Sequence, residues 1–109
     1  MEPRLDTATA DSIAAQILTR SEQRLLTELD GDLADFVTRV FSAKEAIFKG
    51  LYPYVRSYFG FDAVSLTKVE NGQLHFVLNQ DLHDTYRRGQ SLKLLSLDES
   101  GQILSLLLD

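Results

Sequence analysis

Leu33-Ala34-Asp35-Phe36-Val37-Thr38-Arg39-Val40-Phe41-Ser42-Ala43-Lys44-Glu45-Ala46-Ile47-Phe48-Lys49-Gly50-Leu51 is the stretch that decides how this chain reads. Leu33, Phe36, Val37, Val40, Phe41, Ile47, Phe48 and Leu51 recur at a period of about 3.6 residues, which marks an amphipathic helix with a broad buried stripe. Pro53 has no backbone N–H and disfavours helical geometry at Tyr52, so a break or kink is expected there. A second helical segment is then expected from Pro53 to Phe59, with proline at a tolerated first position and Gly60 as its end.

Upstream of this helix, the residues through about Thr7 read as irregular. Ile13, Ala14, Ile17 and Leu18 fall at helical spacing, giving a short helix over 9–18. Thr19-Arg20-Ser21-Glu22 matches a capping box, in which Thr19 and Glu22 satisfy each other's free backbone donors. Leu25, Leu26 and Leu29 supply the buried face of the helix that follows, and Asp30-Gly31-Asp32 is a stop and turn.

Downstream, the period changes. Ala63 to Val69 reads as a strand, and Asn71-Gly72 is the strongest short signal for a type I′ hairpin turn. Leu74, Phe76 and Leu78 then alternate with Gln73, His75 and Val77, the pattern of a half-buried strand. Asp81 to Arg88 is expected to form a short helix closed by Gly89. Leu92 to Leu97 and Ile103 to Leu108 pair as a final hairpin around Asp98-Glu99-Ser100-Gly101. Helices followed by strands indicate an α+β fold, read as one domain over residues 1–109.

The formal net charge of −5 argues against general nucleic-acid binding, which needs a basic surface. There is no cysteine, which excludes disulfides, thiolate metal sites and a cysteine nucleophile. No apolar run approaches the roughly 18 residues that a membrane span requires. Met1-Glu2-Pro3-Arg4 lacks the apolar core of a signal peptide. These features read as a soluble cytoplasmic chain.

The long helix contains one anomaly. At about 100° per residue, Lys44 lies near the middle of the apolar arc, between Val40 and Ile47. An ammonium there is costly unless it reaches water or an anion. Glu45 and Lys49 sit at the edge of the same arc. Two readings follow. Glu45 and Lys49 form a surface pair at i, i+4 while Lys44 runs its stem along the core. Alternatively, two cations beside a carboxylate hold a metal-bound phosphate. Periodicity does not choose between them.

The identities of the residues add to this. Phe41-Ser42-Ala43-Lys44-Glu45-Ala46-Ile47-Phe48-Lys49 resembles the (Trp/Phe)-x-x-Lys-Glu-(Ala/Ser)-x-x-Lys signature of the 4′-phosphopantetheinyl transferases. Gly50-Leu51-Tyr52-Pro53 continues it in the manner of the branch that includes enterobactin synthetase component D and the surfactin-type enzymes. Ser21-Glu22-Gln23-Arg24 is similar to the segment that precedes this helix in that branch. The family's other motif is Gly-x-Asp-x-Glu. Only Glu2 corresponds to its last position, and its Gly and Asp have no counterpart. Enzymes of this branch are pseudo-dimers about twice this length, so the chain resembles their C-terminal half. The single-half, holo-acyl-carrier-protein synthase type forms trimers and keeps its own Asp motif.

The resemblance implies a half-domain with N-terminal helices, one long, packed on a small antiparallel sheet. It implies Mg²⁺-dependent transfer of the 4′-phosphopantetheine arm from coenzyme A to a serine of an acyl or peptidyl carrier protein. Glu45 would bind the metal and act on the serine proton, and Glu2 would be a further metal-binding carboxylate. Lys44 and Lys49 would contact coenzyme A phosphate, with Lys49 also offsetting charge that develops in the reaction. The half alone is expected to be inactive and to associate with its missing N-terminal half or with itself. The alternative is a non-catalytic interaction domain that binds a carrier protein or partner subunit. A third reading is a plain α+β domain with a coincidental Lys-Glu block.

Other groups carry less. His75 reads as an exposed strand residue, and Asp81-x-His83 is too loose for a metal site. Tyr52, Tyr54, Tyr58, Phe59 and Phe61 form an aromatic cluster, suited to core packing or to carrier-protein docking. Arg87-Arg88 is a solvated basic pair that an acidic carrier protein could use. There is no Gly-rich phosphate loop and no Ser-His-Asp pattern.

Overall fold

The computed structural model describes residues 2–3, 7–29, 33–56, 59–99 and 102–108. A two-residue strand β1 (Glu2–Pro3) is followed by α1 (Thr7–Ile17), α2 (Arg20–Leu29) and α3 (Leu33–Val55). A 3-10 turn over Phe61–Ala63 then leads into β2 (Val64–Glu70), β3 (Gln73–Leu78), β4 (Ser91–Glu99) and β5 (Gln102–Leu108). The strands form one antiparallel sheet in the order β1-β5-β4-β3-β2. This is the expected α+β architecture, with the long helix packed on the sheet.

The capping box forms as read. Glu22 Oε1 accepts the Thr19 backbone N–H at 2.7 Å, and Thr19 Oγ1 accepts that of Glu22 at 3.3 Å. The apolar stripe of α3 is buried at Phe36, Val37, Val40, Ile47 and Leu51, while Leu33, Phe41 and Phe48 are half-buried at its borders. These side chains meet Leu74, Phe76 and Leu78 of β3 and Leu92 and Leu94 of β4 in a common core. Helix and sheet approach closely at Gly50, where an added Cβ would lie 2.8 Å from a Leu107 methyl.

Three expectations need correction. Pro53 does not break the helix, because α3 continues through it to Val55. Proline removes a single hydrogen bond, and the surrounding surface, Lys49, Gly50, Tyr52 and Pro53, is exposed, so water can serve the freed carbonyl. The turn then closes with the Arg56 N–H donating to Tyr52 O at 2.8 Å. Arg56 itself adopts φ 56°, the left-handed conformation that ends many helices. The helix therefore stops at Arg56 and not at Gly60. No separate Pro53–Phe59 helix exists among the described residues; 57 and 58 lie outside them, as does the 30–32 turn.

Asp81 to Arg88 is a loop and not a helix. The Leu82 and His83 N–H groups both donate to Tyr86 O, at 2.8 and 3.1 Å, and the Tyr86 N–H returns a bond to His83 O. Side chains compete for the remaining donors. Asp81 Oδ1 accepts the Arg88 N–H at 2.8 Å, and His83 Nδ1 accepts that of Thr85 at 3.2 Å. Such local bonds displace the helical ladder. Gly89 closes the loop at φ 90°.

His75 is half-buried rather than exposed, lying between Lys68 of β2 and Lys93 of β4 in the cross-strand register. The Asn71-Gly72 turn forms as read, with φ 51° and 77°.

Candidate active site

The candidate site is built where α3 passes the segment 59–64. Lys44, in mid-stripe, is 3% exposed. Its ammonium does not reach solvent. It donates to Glu22 Oε1 at 2.7 Å, to Ile17 O at 2.9 Å and to Phe61 O at 2.6 Å. All three N–H groups are thereby satisfied inside the protein. Burial pushes its pKa below the ordinary lysine value, opposed by the charges of Glu22 and Asp62.

Glu22 is 0% exposed and is the anion that the Lys44 anomaly demanded. Its Oε2 accepts the Leu66 N–H of β2 at 2.6 Å, in addition to the two bonds at Oε1. In the sequence Glu22 stands out as a capping residue and as part of the Ser21–Arg24 segment, not as the partner of Lys44. The anomaly at Lys44 called for water or an anion, and spacing alone did not say which.

Glu45, the next residue, lies at the border of the buried face with its side chain 35% exposed. Lys49, one turn on, is 75% exposed, and its Nζ stands 4.0 Å from Glu45 Oε2. At that separation and exposure the pair contributes little stability and leaves both groups available. Beside Glu45 a pocket of about 270 Å³ opens between α3 and the segment 59–64, lined by Lys44, Glu45, Phe48, Phe59, Gly60, Phe61 and Val64. Phe48, Phe59 and Phe61 form its aromatic wall: the Phe48 ring lies 5.2 Å from Phe59 and, outside the pocket, 5.5 Å from Tyr52, and Phe61 lies 5.7 Å from Phe41. Tyr52 and Tyr54 remain exposed, at 48% and 58%, and Tyr58 lies outside the described residues.

The structure thus brings Lys44, Glu45 and Lys49 to one stretch of α3 and divides them. Lys44 faces inward onto fixed partners, whereas Glu45 lines the pocket and Lys49, beside it, is exposed to solvent. Glu2 lies on β1, at the sheet edge opposite β2, and its side chain is outside the described residues. Among the described residues, no group of three or more His, Cys, Asp or Glu side chains is placed to hold a metal ion. One half-exposed carboxylate beside an ammonium suits a magnesium ion carried in on a substrate diphosphate, since Mg²⁺ commonly binds one or two carboxylates plus phosphate oxygens. No helix among the described residues is long and apolar enough to cross a membrane.

The model of the 4′-phosphopantetheinyl transferase superfamily matches residues 1–104, and the chain belongs to that superfamily. Its members are transferases that use coenzyme A as substrate, act on carrier proteins and typically employ a divalent metal. No curated protein matched this chain.

Proposed function

We propose that this chain forms the coenzyme A-binding and metal-binding face of an enterobactin- or surfactin-type phosphopantetheinyl transferase, as its C-terminal half. The observation that carries this reading is a half-exposed acid, Glu45, on the rim of an aromatic pocket with the exposed Lys49 ammonium 4.0 Å away. The diphosphate of coenzyme A is joined to the geminal dimethyl group of the pantoyl unit, so a carboxylate–ammonium rim next to an aromatic pocket matches that substrate at adjacent points.

In the proposed reaction, the carrier-protein serine oxygen bonds to the β-phosphorus of coenzyme A. The bond from that phosphorus to the bridging oxygen breaks, and 3′,5′-ADP leaves with the electron pair. Glu45 accepts the serine proton, while Lys49 contacts phosphate and offsets the developing charge. Mg²⁺, carried in on coenzyme A and held by Glu45, would supply neutralisation of the diphosphate. Lys44, whose donors are satisfied internally, supports the site through its position.

The half-domain part of the proposal is supported by the sheet face turned away from α3. Leu95 pairs with Leu106 and Leu97 with Leu104 across β4 and β5, and Leu97 and Leu106 are 39% and 44% exposed. An apolar face of this kind suits a second lobe or a second copy. The isolated chain is accordingly expected to self-associate and to give little or no transfer to an apo carrier protein.

Calorimetric titration with coenzyme A, with and without Mg²⁺, tests the reading. Mg²⁺-dependent binding is expected, weakened about tenfold, or about 1.4 kcal/mol, by Glu45→Ala and by Lys49→Ala. Binding indifferent to both substitutions would remove the assignment. The shortage of described metal-binding carboxylates favours a second reading, a non-catalytic domain that binds a carrier protein or partner subunit. In that case neither substitution alters partner binding, and coenzyme A does not bind.

A further inference from the structure

We propose that Glu22 is a positioning residue for this site: by holding Lys44 it sets the rotation of α3 about its axis and so aims Glu45 into the aromatic pocket. The inference rests on the proposed role of Glu45 and extends it to a residue that touches no substrate.

Neighbouring side chains on an α-helix point about 100° apart, so the direction of Lys44 determines that of Glu45. Lys44 is held by acceptors from three separate segments: Ile17 at the end of α1, Glu22 in the first turn of α2 and Phe61 in the 3-10 turn. A cation enclosed on three sides resists rotation of the helix that bears it. The same knot places the opposite wall of the pocket. Phe61 lines that wall, and its carbonyl oxygen is one of the three acceptors. Glu22 also binds the Leu66 N–H of β2, the strand whose first residue, Val64, lines the pocket. One buried carboxylate therefore ties together the helix that carries Glu45 and the segment that faces it.

Stability alone is a weak account of this arrangement. A buried ion pair is often matched or exceeded in stability by an apolar pair of similar volume. What an apolar pair lacks is direction, because dispersion contacts do not specify an angle in the way that three charge-assisted hydrogen bonds do.

The test uses NMR on the full chain; because Glu45, Phe59 and Phe61 line one pocket, the wild-type chain is expected to show nuclear Overhauser contacts between the Glu45 side chain and these rings. The variants are Glu22→Gln and the paired replacement Glu22→Leu with Lys44→Met, which keeps the core filled if the single variant does not fold. In both, the sequential contacts within α3 are expected to persist. The Glu45–Phe59 and Glu45–Phe61 contacts are expected to lose most of their intensity. Mg²⁺-dependent coenzyme A binding by the Glu22→Gln variant should weaken about tenfold, with the persisting sequential contacts of α3 as the control for folding. Full-intensity Glu45–Phe61 contacts in the folded paired variant would overturn the inference. If the wild-type chain shows no Mg²⁺-dependent binding, the transferase reading fails, yet the ring contacts still decide the role of Glu22.

Discussion

Lys44 Nζ and Glu22 Oε1 lie 2.7 Å apart with side chains 2% and 0% exposed, a fully desolvated ion pair joining residues from two different helices. Such a pair is asymmetric in its energetics. Removing one partner strands a buried charge, whereas replacing both with apolar groups does not. Glu22→Ala is expected to cost about 3–5 kcal/mol. Glu22→Leu combined with Lys44→Met is expected to fall far short of the sum of the single effects. Urea unfolding midpoints of the two single variants and the double variant check this, and additive losses would contradict it.

Arg39 fastens the N-terminal part of α3 to the far end of β4. Its Nη2 donates to both oxygens of Asp98, at 2.8 and 2.7 Å, its Nη1 donates to Ser96 Oγ at 2.9 Å, and its Nε donates to Asp35 at 2.8 Å. Asp98 is 53% exposed, so its share is small, as for other solvent-screened pairs. Asp98→Ala should cost about 0.5–1 kcal/mol, and Arg39→Ala should cost more because it breaks every one of these contacts. Thermal unfolding at low and high salt checks both the order and its partial loss on screening.

Glu70 titrates below the ordinary carboxylate range, first because Lys68 hydrogen-bonds it and then because Lys68 is positively charged, with smaller help from His75 and Lys93. A carboxyl whose pKa is depressed by folding stabilises the native state above its unfolded pKa. That contribution is lost as the pH falls through the folded value. Lys68→Ala should return Glu70 toward the ordinary range and flatten this part of the acid profile. Carboxyl-carbon NMR titration reads the shift directly, and an unmoved Glu70 would show that the pairing is immaterial.

The β2–β3 turn depends on Gly72 at φ 77°. A side chain in the left-handed region costs about 1–2 kcal/mol. Gly72→Ala should therefore lower stability by that amount, measured by chemical unfolding, and Asn should be better tolerated there than Ala. Equal stability of the Ala variant would mean that the turn relaxes to another type.

Much of the fold was legible locally. The stripe of α3, the Thr19–Glu22 capping box and the Asn71-Gly72 hairpin each depend on residues close in sequence, and each formed as read. The misreadings also have local causes. Pro53 signals a break because proline lacks a donor, but one missing bond on an exposed final turn is cheap for a helix anchored by its buried stripe. Asp81 to Arg88 was read as helical, but Asp81 and His83 capture backbone donors that a helix would need.

The site was legible only in part. Lys44, Glu45 and Lys49 stood out from the pattern around them, and the superfamily signature agreed. Which lysine is buried against an anion and which is free was not available from spacing, because Lys44 finds its partner 22 residues upstream. The far wall of the pocket, Phe59 to Phe61, gave no signal beyond a run of aromatic residues.

The order of helices and strands, the turn chemistry and the family signature follow from the chain itself, because hydrophobic period and backbone sterics act between near neighbours. The inward turn of Lys44 onto Glu22, and the outward turn of Glu45 and Lys49 beside an aromatic pocket, were decided only by tertiary packing. Desolvating a charge depends on which distant segments close over it, and no local pattern encodes that.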